Sequence, residues 1–81
     1  MKVDVLLFAA AREAAGNAVV SLHLSNTADV AELRARLTST VPALAPLAAS
    51  LLVAVNNQYA DDNVPLKGDD EIACFPPVSG G

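Results

Sequence analysis

The 81 residues carry nine Asp and Glu against five scattered Lys and Arg, a formal net charge of −4, which excludes a nucleic-acid binder because phosphate contacts need clustered cations. Hydrophobic residues make up 53% and charged ones 17%, too apolar for a disordered chain and too short for a second domain or a deep pocket beside a core. The single Cys74 leaves no internal disulfide and fits a reducing, cytoplasmic setting, while Lys2 and Asp4 in the first apolar run argue against a signal peptide or membrane span.

Val3 to Phe8 alternates as a strand, with Val3, Val5 and Leu7 on one face and Asp4, Leu6 and Phe8 on the other. Ala9 to Ala15 is alanine-rich and predicts a short helical turn, closed by Gly16 at a left-handed cap. Val19 to Leu24 completes a hairpin, with Val20, Leu22 and Leu24 inward and Val19, Ser21 and His23 outward.

Asn26 or Thr27 is expected to cap the main helix, whose apolar positions Val30, Leu33, Leu37 and Val41 recur at helical spacing. Asp29 and Glu32 precede Arg34 and Arg36, an order that suits the helix dipole, and Pro42 ends the run. Ala43 to Ser50 reads as a short helical connector around Pro46. Leu51 to Val55 is continuously apolar, as expected of a strand covered on both sides, and Asn56 and Asn57 turn the chain after it. Tyr59 begins a short edge strand, Asp61 to Pro65 is a polar loop, and Lys67 to Asp70 is a turn. Glu71 to Phe75 is the last strand, stopped by Pro76 and Pro77. The order predicts an α+β fold, a mixed sheet wrapped on one main helix, formed by residues 1–75.

Residues 76–81 read Pro-Pro-Val-Ser-Gly-Gly. Two prolines favour an extended backbone, and Gly80 and Gly81 lack Cβ atoms, so the segment is expected to be a slender tail reaching at most about 20 Å, at roughly 3.3 Å per residue.

Over nearly its whole length the chain resembles the small subunits of molybdopterin synthase, a family of ubiquitin-like sulfur carriers. The landmarks are Phe8 followed by Ala11-Arg12-Glu13, Val55-Asn56, Pro65-Leu66, Asp70-Glu71-Ile72, and above all Phe75-Pro76-Pro77-Val78-Ser79-Gly80-Gly81. The resemblance implies a β-grasp fold whose working group is the Gly81 carboxylate. An ATP-using adenylyltransferase similar to ubiquitin-activating enzymes would adenylate it, and sulfur would replace one oxygen to give a thiocarboxylate. Inserted through Pro76, Pro77, Val78, Ser79 and Gly80 into a large synthase subunit, within a heterotetramer, it would donate sulfur to a cyclic pyranopterin precursor. The small subunit would then be no enzyme in itself, with catalytic side chains on the large subunit and no cofactor bound permanently. The thiamine-pathway sulfur carrier and a ubiquitin-like interaction module or protein modifier are the alternatives. The Phe-Pro-Pro-Val approach and the chain length favour the first reading. One departure is that Gly68 comes one place early and Asp69 stands where the family usually has glycine, so Asp69 is expected to take up a left-handed backbone with local adjustment.

Among residues that could bear chemistry, Cys74 faces inward with Ile72 and reads as a small buried hydrophobe, and His23 reads as a surface residue and not a metal ligand. Asp61, Asp62, Asp69, Asp70 and Glu71 lack calcium-loop spacing and read as solvated turns first, a docking surface for basic partners second. In a β-grasp the first and last strands are neighbours, which places Leu6, Phe8, Ala73 and Phe75 together on the face away from the helix. A contiguous apolar patch there is expected to dock the large subunit, with Tyr59 included and Arg12 on its rim.

Overall fold

A computed structural model describes residues 1–77. Its elements follow in chain order: β1 (Lys2–Leu7), α1 (Ala9–Ala15), β2 (Val19–His23), α2 (Val30–Thr40), a 3-10 helix (Pro42–Leu47), β3 (Leu52–Val55), β4 (Gln58–Tyr59) and β5 (Ile72–Phe75). The five strands form one sheet in the order β2-β1-β5-β3-β4, parallel between β1 and β5 and antiparallel elsewhere. This is the β-grasp arrangement expected from the sequence.

Alternation in the strands decides which side chains meet the helix. Val3, Val5, Leu7, Leu22, Val53, Ile72 and Cys74 all point to one side and are at most 2% exposed. Val30, Leu33 and Leu37 of α2 close on them, joined by Leu44 of the 3-10 helix.

Local turns follow residue chemistry. Gly16 caps α1 at φ 74°, donating its N–H to the Arg12 carbonyl, in the left-handed region that glycine enters without a Cβ penalty. Asn56 and Asn57 have φ of 52° and 68° and form the two-residue link between β3 and β4, the geometry a tight hairpin favours and asparagine tolerates.

Three expectations change. The cap of α2 is neither Asn26 nor Thr27 but Asp29, whose carboxylate accepts the Glu32 N–H at 2.9 Å. The polar loop takes up neighbouring donors, Val30 N–H going to the Val64 carbonyl and Ala31 N–H to that of Asp62. Glu32 reaches back to the Ser25 N–H and hydroxyl, both at 2.8 Å, and these bonds hold its carboxyl below the usual carboxylate range.

Strand β3 is covered on one side only. Leu51 and Val53 are buried, whereas Leu52 and Ala54 are half-buried on the side away from α2. Nor is Asp69 left-handed: among the described residues the non-glycine positions at positive φ are Ala9, Asn56 and Asn57. The turn closes by other means, with Asp70 N–H donating to the Lys67 carbonyl and the Asp70 carboxylate accepting the Lys67 N–H at 2.7 Å. A turn closed this way makes no demand for glycine. Among the described residues no helix is long and apolar enough to cross a membrane.

Candidate functional site: an apolar sheet face leading to the C-terminal residues

The face turned away from α2 carries a register row that crosses all five strands. Val19 pairs with Leu6, Leu6 with Ala73, Ala73 with Ala54, and Ala54 with Tyr59. A second row adds Phe75 opposite Leu52. The Phe8 N–H bonds to the Cys74 carbonyl at 3.1 Å and so carries the β1–β5 ladder one residue further. Paired residues share a face, so the apolar side chains are contiguous.

Several of them stand well into solvent. Tyr59 is 74% exposed, Phe8 49% and Val19 45%. The Tyr59 and Phe75 rings lie 5.8 Å apart at a tilt of 52°, within the range of favourable aromatic pairs. Leu6, Phe8, Ala54, Tyr59, Ala73 and Phe75, with Asn57 and Glu71 at the margin, line an open concavity of about 330 Å³. Contiguous exposed apolar patches of this kind are characteristic of interaction surfaces.

The expected site residues up to Pro77 can be placed. Leu6, Phe8, Tyr59, Ala73 and Phe75 come together around the concavity. Arg12 is exposed on α1 and is not among the lining residues. Pro76 is half-buried and Pro77 exposed, directly beyond β5. Val78, Ser79, Gly80 and Gly81 lie outside the described residues. Val19, Leu52 and Ala54 belong to the same face but were not expected in the patch. Leu52 and Ala54 were masked by the reading of β3 as doubly covered, and the outward position of Val19 gains meaning only from its register with Leu6.

Other features offer less chemistry. A concavity of about 460 Å³ borders Arg34, Leu51 to Val53 and Tyr59 to Asp62. The Arg34 guanidinium is already occupied there: it donates to the Ala48 and Leu51 carbonyls at 2.7 and 2.6 Å and pairs with Asp62 at 3.2 Å. The sequence reading missed this bridge, which gives Asp62 a structural partner. Cys74 is 1% exposed, and burial pushes its thiol up to about 11, which leaves little thiolate for nucleophilic work near neutral pH. His23 is exposed.

Comparison with known proteins adds to this geometry. The ThiS family matches residues 5–81. A Chlamydomonas reinhardtii protein named molybdopterin synthase sulfur carrier subunit is 36% identical over 83 residues, with the whole of each chain covered. Among solved structures, SAMP1 from Haloferax volcanii superposes with a TM-score of 0.88 at 29% identity, covering all of both chains. A chain from the complex of subunits 1 and 2 of the molybdopterin-converting factor of Helicobacter pylori is also matched over the full length of both, with a TM-score of 0.70 and 30% identity.

Proposed function

This chain belongs to the ThiS family, and from that premise we propose that it is the sulfur-carrier small subunit of a molybdopterin synthase, working in the cytoplasm through the Gly81 carboxylate. A carboxylate resists attack until a leaving group is attached. In the proposed cycle an adenylyltransferase similar to ubiquitin-activating enzymes supplies one from ATP: a Gly81 carboxylate oxygen attacks the α-phosphorus, and pyrophosphate leaves. Hydrosulfide, or sulfur delivered at that oxidation level, then attacks the acyl carbon and AMP leaves, so that a thiocarboxylate results. Delivered into the large subunit, the thiocarboxylate gives its sulfur to a cyclic pyranopterin precursor while water supplies the oxygen that restores the Gly81 carboxylate, and the catalytic side chains are the partner's. The role of the small subunit is presentation. Residues 1–75 act as the scaffold and 76–81 as the tail, with a glycine terminus offering the least hindrance to attack.

The observation that carries this reading is the continuity between the apolar face and the C-terminal sequence. Phe75 belongs to the face and is the last residue of β5, and six residues later the chain reaches Gly81. A partner seated on Leu6, Phe8, Tyr59, Ala73 and Phe75 therefore has the terminus within about 20 Å of chain. The name of the Chlamydomonas relative and the two-subunit Helicobacter complex support the same partner.

Coexpression with the activating enzyme followed by intact-mass measurement tests the proposal. The expected product differs from the starting chain by one oxygen-to-sulfur exchange, and deletion of Gly81 abolishes it while the far-ultraviolet spectrum stays that of a folded domain. Full cofactor synthesis with the truncated chain would defeat the proposal. A second reading, in which Gly81 forms an amide with a lysine, is favoured by the likeness to SAMP1, the small archaeal modifier protein 1. In that case the mass measurement finds a protein conjugate in place of the exchange.

A further inference from the structure

Resting on the docking reading above, we propose that Glu71 is a specificity-determining residue of the sheet face, selecting a partner that sets an Arg or Lys side chain against it. The face is polarised along its strands. Toward the end of β5 it is apolar, with Phe8, Leu52 and Phe75. Toward the start of β5 it turns acidic, and a second concavity of about 430 Å³ is lined by Asp4, Asp69, Asp70 and Glu71 with Lys2 as its one basic residue. Leu6 and Glu71 border both concavities, so a partner seated on the apolar half meets the Glu71 carboxylate first.

The carboxylates at this end are not equivalent. Asp4 accepts the Ser21 hydroxyl at 2.6 Å. Asp70 accepts from the Asn56 amide at 2.9 Å and from the Lys67 N–H at 2.7 Å. The Asp69 and Glu71 side chains have no hydrogen-bond or ion-pair partner among the described residues, but of the two only Glu71 also borders the apolar concavity, and its backbone is held on both sides: its N–H donates to Asn56 Oδ1 at 2.9 Å and its carbonyl accepts the Asn56 N–H at 2.8 Å. A fixed backbone aims an uncompensated negative charge along the margin of an apolar seat. When a partner covers the seat that carboxylate loses water, and an unpaired charge at an interface opposes binding unless a cation meets it. The same group thus rejects partners lacking a cation at that spot and fixes the orientation of those that have one.

The test is titration of this chain with the large synthase subunit of the same organism, at low and high ionic strength, each variant first checked for an unchanged urea midpoint. Glu71→Lys is expected to weaken binding by roughly tenfold or more, and Glu71→Gln to weaken it less while flattening the salt dependence. Asp61→Lys makes the same change in net charge outside both concavities and is expected to bind nearly as the parent does. Equal losses in Glu71→Lys and Asp61→Lys would overturn the inference, leaving only a general charge effect. Parent-like binding by Glu71→Lys together with lost binding by Phe75→Glu would overturn it while leaving the docking reading intact. Parent-like binding by Phe75→Glu would remove the docking reading, and this inference with it.

Discussion

Strand β5 contains two proteins' worth of instruction in four residues. Ile72 and Cys74 are 0% and 1% exposed and lie under α2, while Ala73 and Phe75, alternating with them, stay half-exposed on the opposite face. Both pairs are apolar, so hydrophobicity alone does not separate them. What separates them is whether this chain supplies the cover: α2 and the 3-10 helix close one face, and on the other β1, β3 and β4 contribute more apolar residues to the same open row. The difference teaches that folding free energy comes mainly from one face, and that the other leaves apolar area open, which the proposed function uses for docking.

Substitution on the two faces should break this contrast if it is wrong. Ile72→Ala removes a fully buried side chain and is expected to destabilise the domain by about 2–5 kcal/mol, read from urea unfolding. Phe75→Glu gives up a partly buried ring together with its contact to Tyr59, an expected loss of about 1–2 kcal/mol, yet is expected to abolish binding of the large subunit. Comparable stability losses in the two variants would show that the outward face is part of the core after all.

Cys74 sharpens the contrast through pH. Burial raises its thiol from 9.0 to about 11, so the folded state keeps a proton that the unfolded chain gives up. Its contribution is complete below pH 9 and is lost as pH climbs toward about 11, a fall of about 2–3 kcal/mol. Cys74→Ala should lower stability at neutral pH and remove that part of the alkaline decline. Thiol labelling of the parent near neutral pH should follow unfolding.

The smallest expected effect concerns the cover itself. Asp29→Ala removes the cap of α2 and is expected to lower stability by about 1 kcal/mol, with affinity for the large subunit unchanged because the proposed docking face lies on the other side of the sheet.

The elements were largely legible because this chain writes its periodicity plainly. The Val30, Leu33, Leu37 spacing, the alternation of Val3, Val5 and Leu7, and the Asn56-Asn57 turn each carry local information, and the structure forms an element at each. The cap of α2 was itself local, since Asp29 accepts the N–H of Glu32 three residues on, an Asp-x-x-Glu spacing already present in the sequence. What depended on distant partners was the loop at Asp62 and Val64, which takes up the next donors and which nothing within the helix's own sequence announces. Leu52 and Ala54 looked doubly covered because an apolar run reads the same whether its outer side meets a helix or open water. The five-residue row was only partly visible for the same reason. Leu6 and Ala73 followed from the resemblance to a β-grasp and Tyr59 was expected beside them, while Val19 and Ala54 needed the register of pairing.

The parallel pairing of β1 with β5 places opposite ends of the described chain side by side at the middle of the sheet. Hairpins β1–β2 and β3–β4 can form from local contacts, but the ladder that joins them waits until a strand from the far end arrives, and such nonlocal closure slows folding. Half-made or clipped chains therefore retain two unjoined hairpins with bare edges. Such fragments are prone to aggregate and offer quality-control proteases ready targets.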